Sequence, residues 1–145
     1  MVMIYRERVL PSAPNLLLPI LLFVSVVAIM LPISEAWAIP VAALLSAAFV
    51  AFLFVSSPVI EISETELVCK GARIERKFLG EIEIIPKNEN FEQLGQKLDA
   101  RAWLAIQPSV KGLLKIQIVD ETDPTPYWLL TSRNVARIKE ILEKA

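Results

Sequence analysis

Residues 16–33 read LLLPILLFVSVVAIMLPI and residues 38–57 read AIPVAALLSAAFVAFLFVSS, and neither run holds a charged side chain. At a rise of about 1.5 Å per residue the first reaches about 27 Å as a helix and the second about 30 Å, close to the hydrocarbon thickness of a bilayer. Pro19 falls in the first turn of the first run, Pro40 near the start of the second and Pro58 just past its end, all places where a missing N–H is tolerated. Only Ser34, Glu35, Ala36 and Trp37 separate the runs. A connection that short cannot cross a bilayer, so an antiparallel transmembrane hairpin is expected.

The rest of the chain divides around this hairpin. From Val9 to Ile60 the only charged residue is Glu35, and all other charge lies in the first eight residues or after Ile60. A break that sharp separates a segment suited to lipid from segments suited to water. The expected organisation is an N-terminal tail over 1–15, the hairpin over 16–58 and a separate domain over 59–145. Arg6 and Arg8 precede the hairpin, the connection holds no lysine or arginine, and Lys70, Arg73, Arg76 and Lys77 follow. By the positive-inside rule both termini are expected in the cytoplasm of a multi-pass plasma-membrane protein, with Glu35 outside and Trp37 in the interfacial belt.

A cleaved secretory signal is the competing reading, because Ala36-Trp37-Ala38 has the small-x-small form of a cleavage site. The apolar run is longer than the usual signal core of about 7–15 residues. Cleavage would still leave the second helix holding the C-terminal domain inside. Ala43, Ala47 and Ala51 form a small-residue stripe, expected to pack against the first helix, with a contact between copies of the chain as the alternative. No charge lies at depth in either run, so the hairpin reads as an anchor and not as an ion path.

After Pro58 the pattern changes to short alternating segments separated by turn residues. Strands are expected at 59–62, 67–70, 73–78, 81–85, 102–107, 113–119 and 127–131, the second and third making a hairpin around Gly71. Residues 90–98 place Phe91, Leu94 and Leu98 at helical spacing behind Asn90 as N-cap. An amphipathic helix over 134–143 closes the chain, with Val135, Ile138, Ile141 and Leu142 on its apolar face. The expected fold class is therefore an α-helical membrane hairpin followed by an α+β, mainly-β cytoplasmic domain. A pleckstrin-homology-like (PH-like) split β-barrel of about seven strands with a C-terminal helix fits this element order. It would sit against the bilayer surface, because no linker follows the second helix.

The composition excludes much chemistry. There is no histidine, which removes His-based metal sites and Ser-His or Cys-His nucleophile pairs. The single Cys69 permits no internal disulfide and reads as a small core residue. The four glycines are scattered, so no phosphate-cradling loop exists. A net charge of −1 with acids and bases interleaved excludes a nucleic-acid face. No cofactor, metal site or enzymatic activity is expected.

Four segments resemble one family: Tyr5-Arg6-Glu7-Arg8, Phe78-Leu79-Gly80-Glu81-Ile82-Glu83, Leu98-Asp99-Ala100-Arg101-Ala102-Trp103 and Asp123-Pro124-Thr125-Pro126-Tyr127-Trp128-Leu129. In order and spacing they are similar to the uncharacterised actinobacterial family called domain of unknown function 3093, over almost the whole chain. The resemblance implies a small actinobacterial membrane protein with no established activity.

Candidate sites follow from residue type. Asp120, Glu121 and Asp123 cluster before Pro124 and suggest either a solvated turn or a hard-cation site. Asp123, Pro124, Thr125, Pro126, Tyr127 and Trp128 form a stiff loop that either sets up the next strand or presents aromatics to a partner. Arg101, near Asp99 and Trp103, is a candidate anion contact or a structural ion pair. Arg73, Arg76 and Lys77 are candidate contacts for anionic headgroups, among many nearby glutamates. The expected function is a membrane-tethered PH-like module whose partners are the bilayer and a protein or lipid ligand at the inner leaflet. The alternatives are a structural subunit of a larger membrane complex, or a membrane enzyme using Asp99, Asp120 or Asp123, which needs two acids converging with separated pKa values.

Overall fold

The computed structural model describes residues 3–144 and divides into two compact units. One is Leu10–Ser57; the other joins the residues up to Val9 with those from Pro58 onward. In the first, a 3-10 turn at Ala13–Leu16 runs into α1 (Leu17–Met30), and α2 (Glu35–Val55) follows after a short turn. Ala13–Met30 and Glu35–Val55 are both long and apolar enough to cross a membrane. Away from the face where they meet, their side chains point outward, with Leu21, Ile29 and Leu44 each more than 60% exposed. The hydroxyls of Ser25 and Ser57 donate to the carbonyls of Leu21 and Leu53, four residues earlier, which satisfies them inside the helix.

Two details of this unit differ from the expectation. α2 begins at Glu35, not at residue 38, so the lone carboxylate enters the first helical turn, where the helix dipole favours it. Pro40 consequently lies inside α2, where its missing N–H removes one rung of the ladder. The stripe Ala43, Ala47, Ala51 is exposed and does not pack on α1; the fully buried alanines are Ala38 and Ala42, one position back along the helix. Small side chains there let the two helix backbones approach closely.

The second unit has eight strands. β1 (Met3–Arg8) comes before the hairpin, and β2 (Val59–Ser63), β3 (Glu66–Cys69), β4 (Ala72–Glu75) and β5 (Leu79–Ile85) come after it. A short helix α3 (Asn90–Leu94), strands β6 (Trp103–Ala105), β7 (Leu113–Ile118) and β8 (Tyr127–Thr131), and the terminal helix α4 (Val135–Glu143) complete it. The strands form two four-stranded sheets, ordered β1-β2-β3-β4 and β5-β7-β8-β6. The seven expected strands all occur, but the sheets do not close into a barrel. The eighth strand is β1: residues 3–8, read from sequence as tail, pair antiparallel with β2 from Arg8↔Val59 onward. Alternating charges and only six residues hid it, since its partner lies beyond the whole hairpin.

Local chemistry explains the rest. Between β3 and β4, Lys70 and Gly71 both have positive φ, the two-residue turn that matches the twist of a hairpin. The two sheets share one core with α4, in which Ile60, Ile62, Leu67, Leu114, Ile116, Leu130 and Ile138 are fully buried. A second cluster, including Ile85, Leu113, Tyr127 and Leu129, lies under Leu94, Leu98 and Leu104. β8 is therefore covered on both faces, and all five of its residues are buried.

α4 is fixed at both ends. At its start, the Ser132 hydroxyl donates to Glu7 of β1 and accepts from the Asn134 N–H at 2.8 Å, while the Arg133 N–H donates to Glu7 at 3.2 Å. Tyr5 also donates to Glu7 at 2.9 Å, and burial, then this carboxylate, raises its pKa above the phenol value. At its end, the Arg76 guanidinium donates to the carbonyls of Ile141 and Leu142. Gly112 lies so close to Ser132 that an added Cβ would meet the Ser132 carbonyl at 2.1 Å.

Glu7→Ala leaves the buried Ser132 hydroxyl without its acceptor and is expected to destabilise the protein by about 1–3 kcal/mol in thermal unfolding of the detergent-solubilised chain. Arg6→Ala, which breaks only the exposed pair to Glu61 at 3.1 Å, is expected to stay within about 0.5 kcal/mol. Equal effects of the two substitutions would contradict the role given to Glu7.

Candidate functional site

β5 stops at Ile85 because Pro86 offers the ladder no N–H. The Pro86 carbonyl accepts from the Glu89 N–H at 2.9 Å, which turns the chain into α3. That helix lasts five residues. The Asn90 amide nitrogen donates to the Lys111 carbonyl at 2.7 Å, tying α3 to the segment between β6 and β7. Across from it, Gln107 N–H donates to the Thr131 hydroxyl at 2.7 Å and Val110 N–H to the Gln107 carbonyl at 2.9 Å.

These ties enclose an open groove of about 620 Å³. Leu94, Ile106, Val110 and Leu113 supply apolar lining, with Phe91, Lys87 and Lys111 beside them. Phe91 is 87% exposed, the most exposed large apolar side chain among the described residues of the β unit. Regular helical spacing would have turned it inward with Leu94, but in a single helical turn Gln93 takes the buried place. No carboxylate lines the groove. Among the described residues, neither lysine has a carboxylate partner, whereas Lys97 nearby is held by Glu92 at 3.1 Å. The side-chain Oδ1 of Asn90 is buried without a hydrogen-bond donor among the described residues. Neither Lys87 nor Lys111 stood out in sequence, because each is a single lysine in its own loop and folding alone brings them to one groove.

The residues singled out from sequence lie elsewhere, and most are engaged locally. Asp120 accepts from the Thr122 hydroxyl at 2.7 Å and the Thr122 N–H at 2.9 Å; Asp123 accepts from the Thr125 N–H at 2.8 Å. The hydroxyl bond, then the backbone bond, holds Asp120 below the usual carboxylate range. Pro124 and Pro126 lead into β8, whose first residues Tyr127 and Trp128 are buried, so this pair does not form an exposed aromatic tip. Tyr127 OH accepts from the Asp99 N–H at 2.8 Å and donates to the Lys97 carbonyl at 3.3 Å. Trp128 packs near Trp103, with ring centroids 6.3 Å apart, and Trp103 donates to the Cys69 carbonyl at 3.3 Å.

Arg101 is paired with Asp99, its guanidinium 3.0 Å from the carboxylate. The side-chain bond to Arg101 comes first among the causes that depress the Asp99 pKa. Arg73 faces Glu66 at 3.7 Å and Lys77 faces Glu75 at 2.7 Å. Arg76 is spent on the end of α4 and on the Ser63 carbonyl at 3.1 Å, and desolvation lowers its pKa. These three cations therefore do not make a bare basic patch. Cys69 is buried, and burial pushes its thiol up to about 12. Among the described residues no three His, Cys, Asp or Glu side chains come together as a metal set.

The architecture defines a class: a two-sheet β unit interrupted, between its first two paired strands, by an apolar helical hairpin. The chain belongs to the family described as proteins of unknown function DUF3093, whose model matches residues 4–142. No curated protein and no solved structure matches it.

Arg76→Ala is expected to destabilise the protein by about 1–3 kcal/mol, since it strips two helix-end carbonyls of their donor. Arg73→Ala, whose exposed guanidinium is 3.7 Å from a half-buried Glu66, and Lys77→Ala, at an exposed pair, are expected to change stability by less than about 1 kcal/mol. Thermal unfolding of the three variants checks this, and an Arg76→Ala protein as stable as the others would refute the assignment.

Proposed function

We propose that this protein is a membrane-tethered binding module: α1 and α2 span the membrane as a hairpin and the β unit presents its groove to a ligand at the cytoplasmic surface. One observation carries the reading. The Val9 N–H donates to the Pro58 carbonyl at 2.9 Å, so the chain enters and leaves the apolar hairpin side by side, at one end of one strand pair. Whatever the hairpin enters, its two flanks stay on the same side. Arg6 and Arg8 before it and the lysines and arginines after it favour the cytoplasmic side for both. Two packed sheets with α4 against their shared core support a PH-like arrangement of the water-facing part. The enzyme reading gains no support from Asp99, Asp120 or Asp123, because each is tied to neighbours within two residues. The two with shifted pKa values are shifted down, the opposite of what a general acid requires.

Single cysteines at Glu35 and Lys144, each in a Cys69→Ala background, test this topology in intact cells. A membrane-impermeant thiol reagent is expected to label position 35 from outside and position 144 only after lysis. Labelling of position 144 in intact cells would overturn the cytoplasmic placement.

A further inference from the structure

We infer that the groove beside α3 is a docking surface for anionic phospholipid headgroups of the same membrane that the hairpin enters, with Phe91 at the interface and Lys87 and Lys111 against phosphate. The inference rests on the tethered reading above and names its ligand. Three observations converge on it.

The first is place within the β unit. Glu7 precedes Arg8, the residue that pairs with Val59 where the chain turns into the hairpin. Glu7 accepts from Ser132, whose N–H donates to the Gly112 carbonyl at 3.0 Å. Gly112 follows Lys111, and Ser132 follows Thr131, both of which line the groove. A short chain of contacts within the β unit thus joins the strand that leads into the hairpin to the groove wall.

The second is charge. Among the described residues, Lys87 and Lys111 are the only ionisable side chains lining the groove, and neither has an acidic partner. The acids of α3 and its approach are Glu89 and Glu92, and Glu92 is already engaged by Lys97. Cations near an anionic surface each gain about 1 kcal/mol. The third is Phe91. An aromatic ring 87% exposed to water beside two free cations has the mixed apolar and cationic character that suits a headgroup region.

The test uses the full-length chain in nanodiscs of phosphatidylcholine alone or with phosphatidylglycerol, followed by hydrogen–deuterium exchange over residues 87–94 and 106–111. Exchange is expected to slow by about thirtyfold in the anionic discs, two cations at about 1 kcal/mol each. High salt should abolish the slowing in the wild type. The double substitution Lys87→Glu and Lys111→Glu should also abolish it, and Lys144→Glu should not. Equal exchange in both discs would overturn the proposal. Slowing by inorganic phosphate in the neutral discs would overturn it too, by assigning the groove to a free anion. Extraction of the protein from native membranes by alkaline carbonate would instead overturn the tether. Retention in the membrane without any lipid dependence would leave the tether standing and remove only the lipid ligand.

Discussion

The antiparallel pairing of β1 with β2 is the constraint on which the rest of this structure depends. It brings residues 3–8 and 59–63 into one ladder although the whole apolar hairpin lies between them. In the unfolded chain a loop that long carries a substantial closure entropy. Two helices that pack on one another shorten the effective loop to the distance between their outer ends. The hairpin and the strand pair are thus mutually supportive: each places the ends that the other joins. The N-terminal residues then become the edge of a sheet, and Glu7 on that edge holds the start of α4.

The charged side chains of the β unit show how poorly residue type alone predicts a site. Arg76 was one of three candidate headgroup contacts, yet its planar fork fits the carbonyls at the end of α4 that have no partner within the helix. Arg73, Lys77 and Arg101 each found a carboxylate within a few residues or across one hairpin. Lys87 after β5 and Lys111 before β7 are, like Arg8 and Lys70, without a carboxylate partner among the described residues, and they meet at one groove because α3 is tied to the second loop through Asn90.

Much of the fold was legible. Uncharged runs near bilayer length marked both helices, period-two alternation marked β2 to β7, and period 3.6 marked α4, because in each of these one face sees a single environment. β8 was visible as a strand, but its double cover was not, so a partner-binding tip stayed open as the alternative for Tyr127 and Trp128, which fill two cores. β1 was lost because it is short, ends in the charged run Arg6-Glu7-Arg8 and pairs with a partner distant in sequence. Phe91 was misplaced for the opposite reason: a helical pattern was extended over 90–98 where the helix ends at Leu94. The Ala43 stripe was a real periodicity assigned to the wrong neighbour, since three alanines every fourth residue say that a face is small and nothing about what lies opposite.

Cross-linking across the first two strands tests the central constraint most directly. Arg6 and Glu61 are register partners, and cysteines at both positions, with Cys69→Ala, are expected to oxidise to an intramolecular disulfide in the native protein. After cleavage at a protease site placed in the connection between α1 and α2, the two fragments should stay joined until reductant is added. Fragments that separate without reductant, from a protein shown to be folded, would contradict the β1–β2 pairing and with it the common origin of both hairpin flanks.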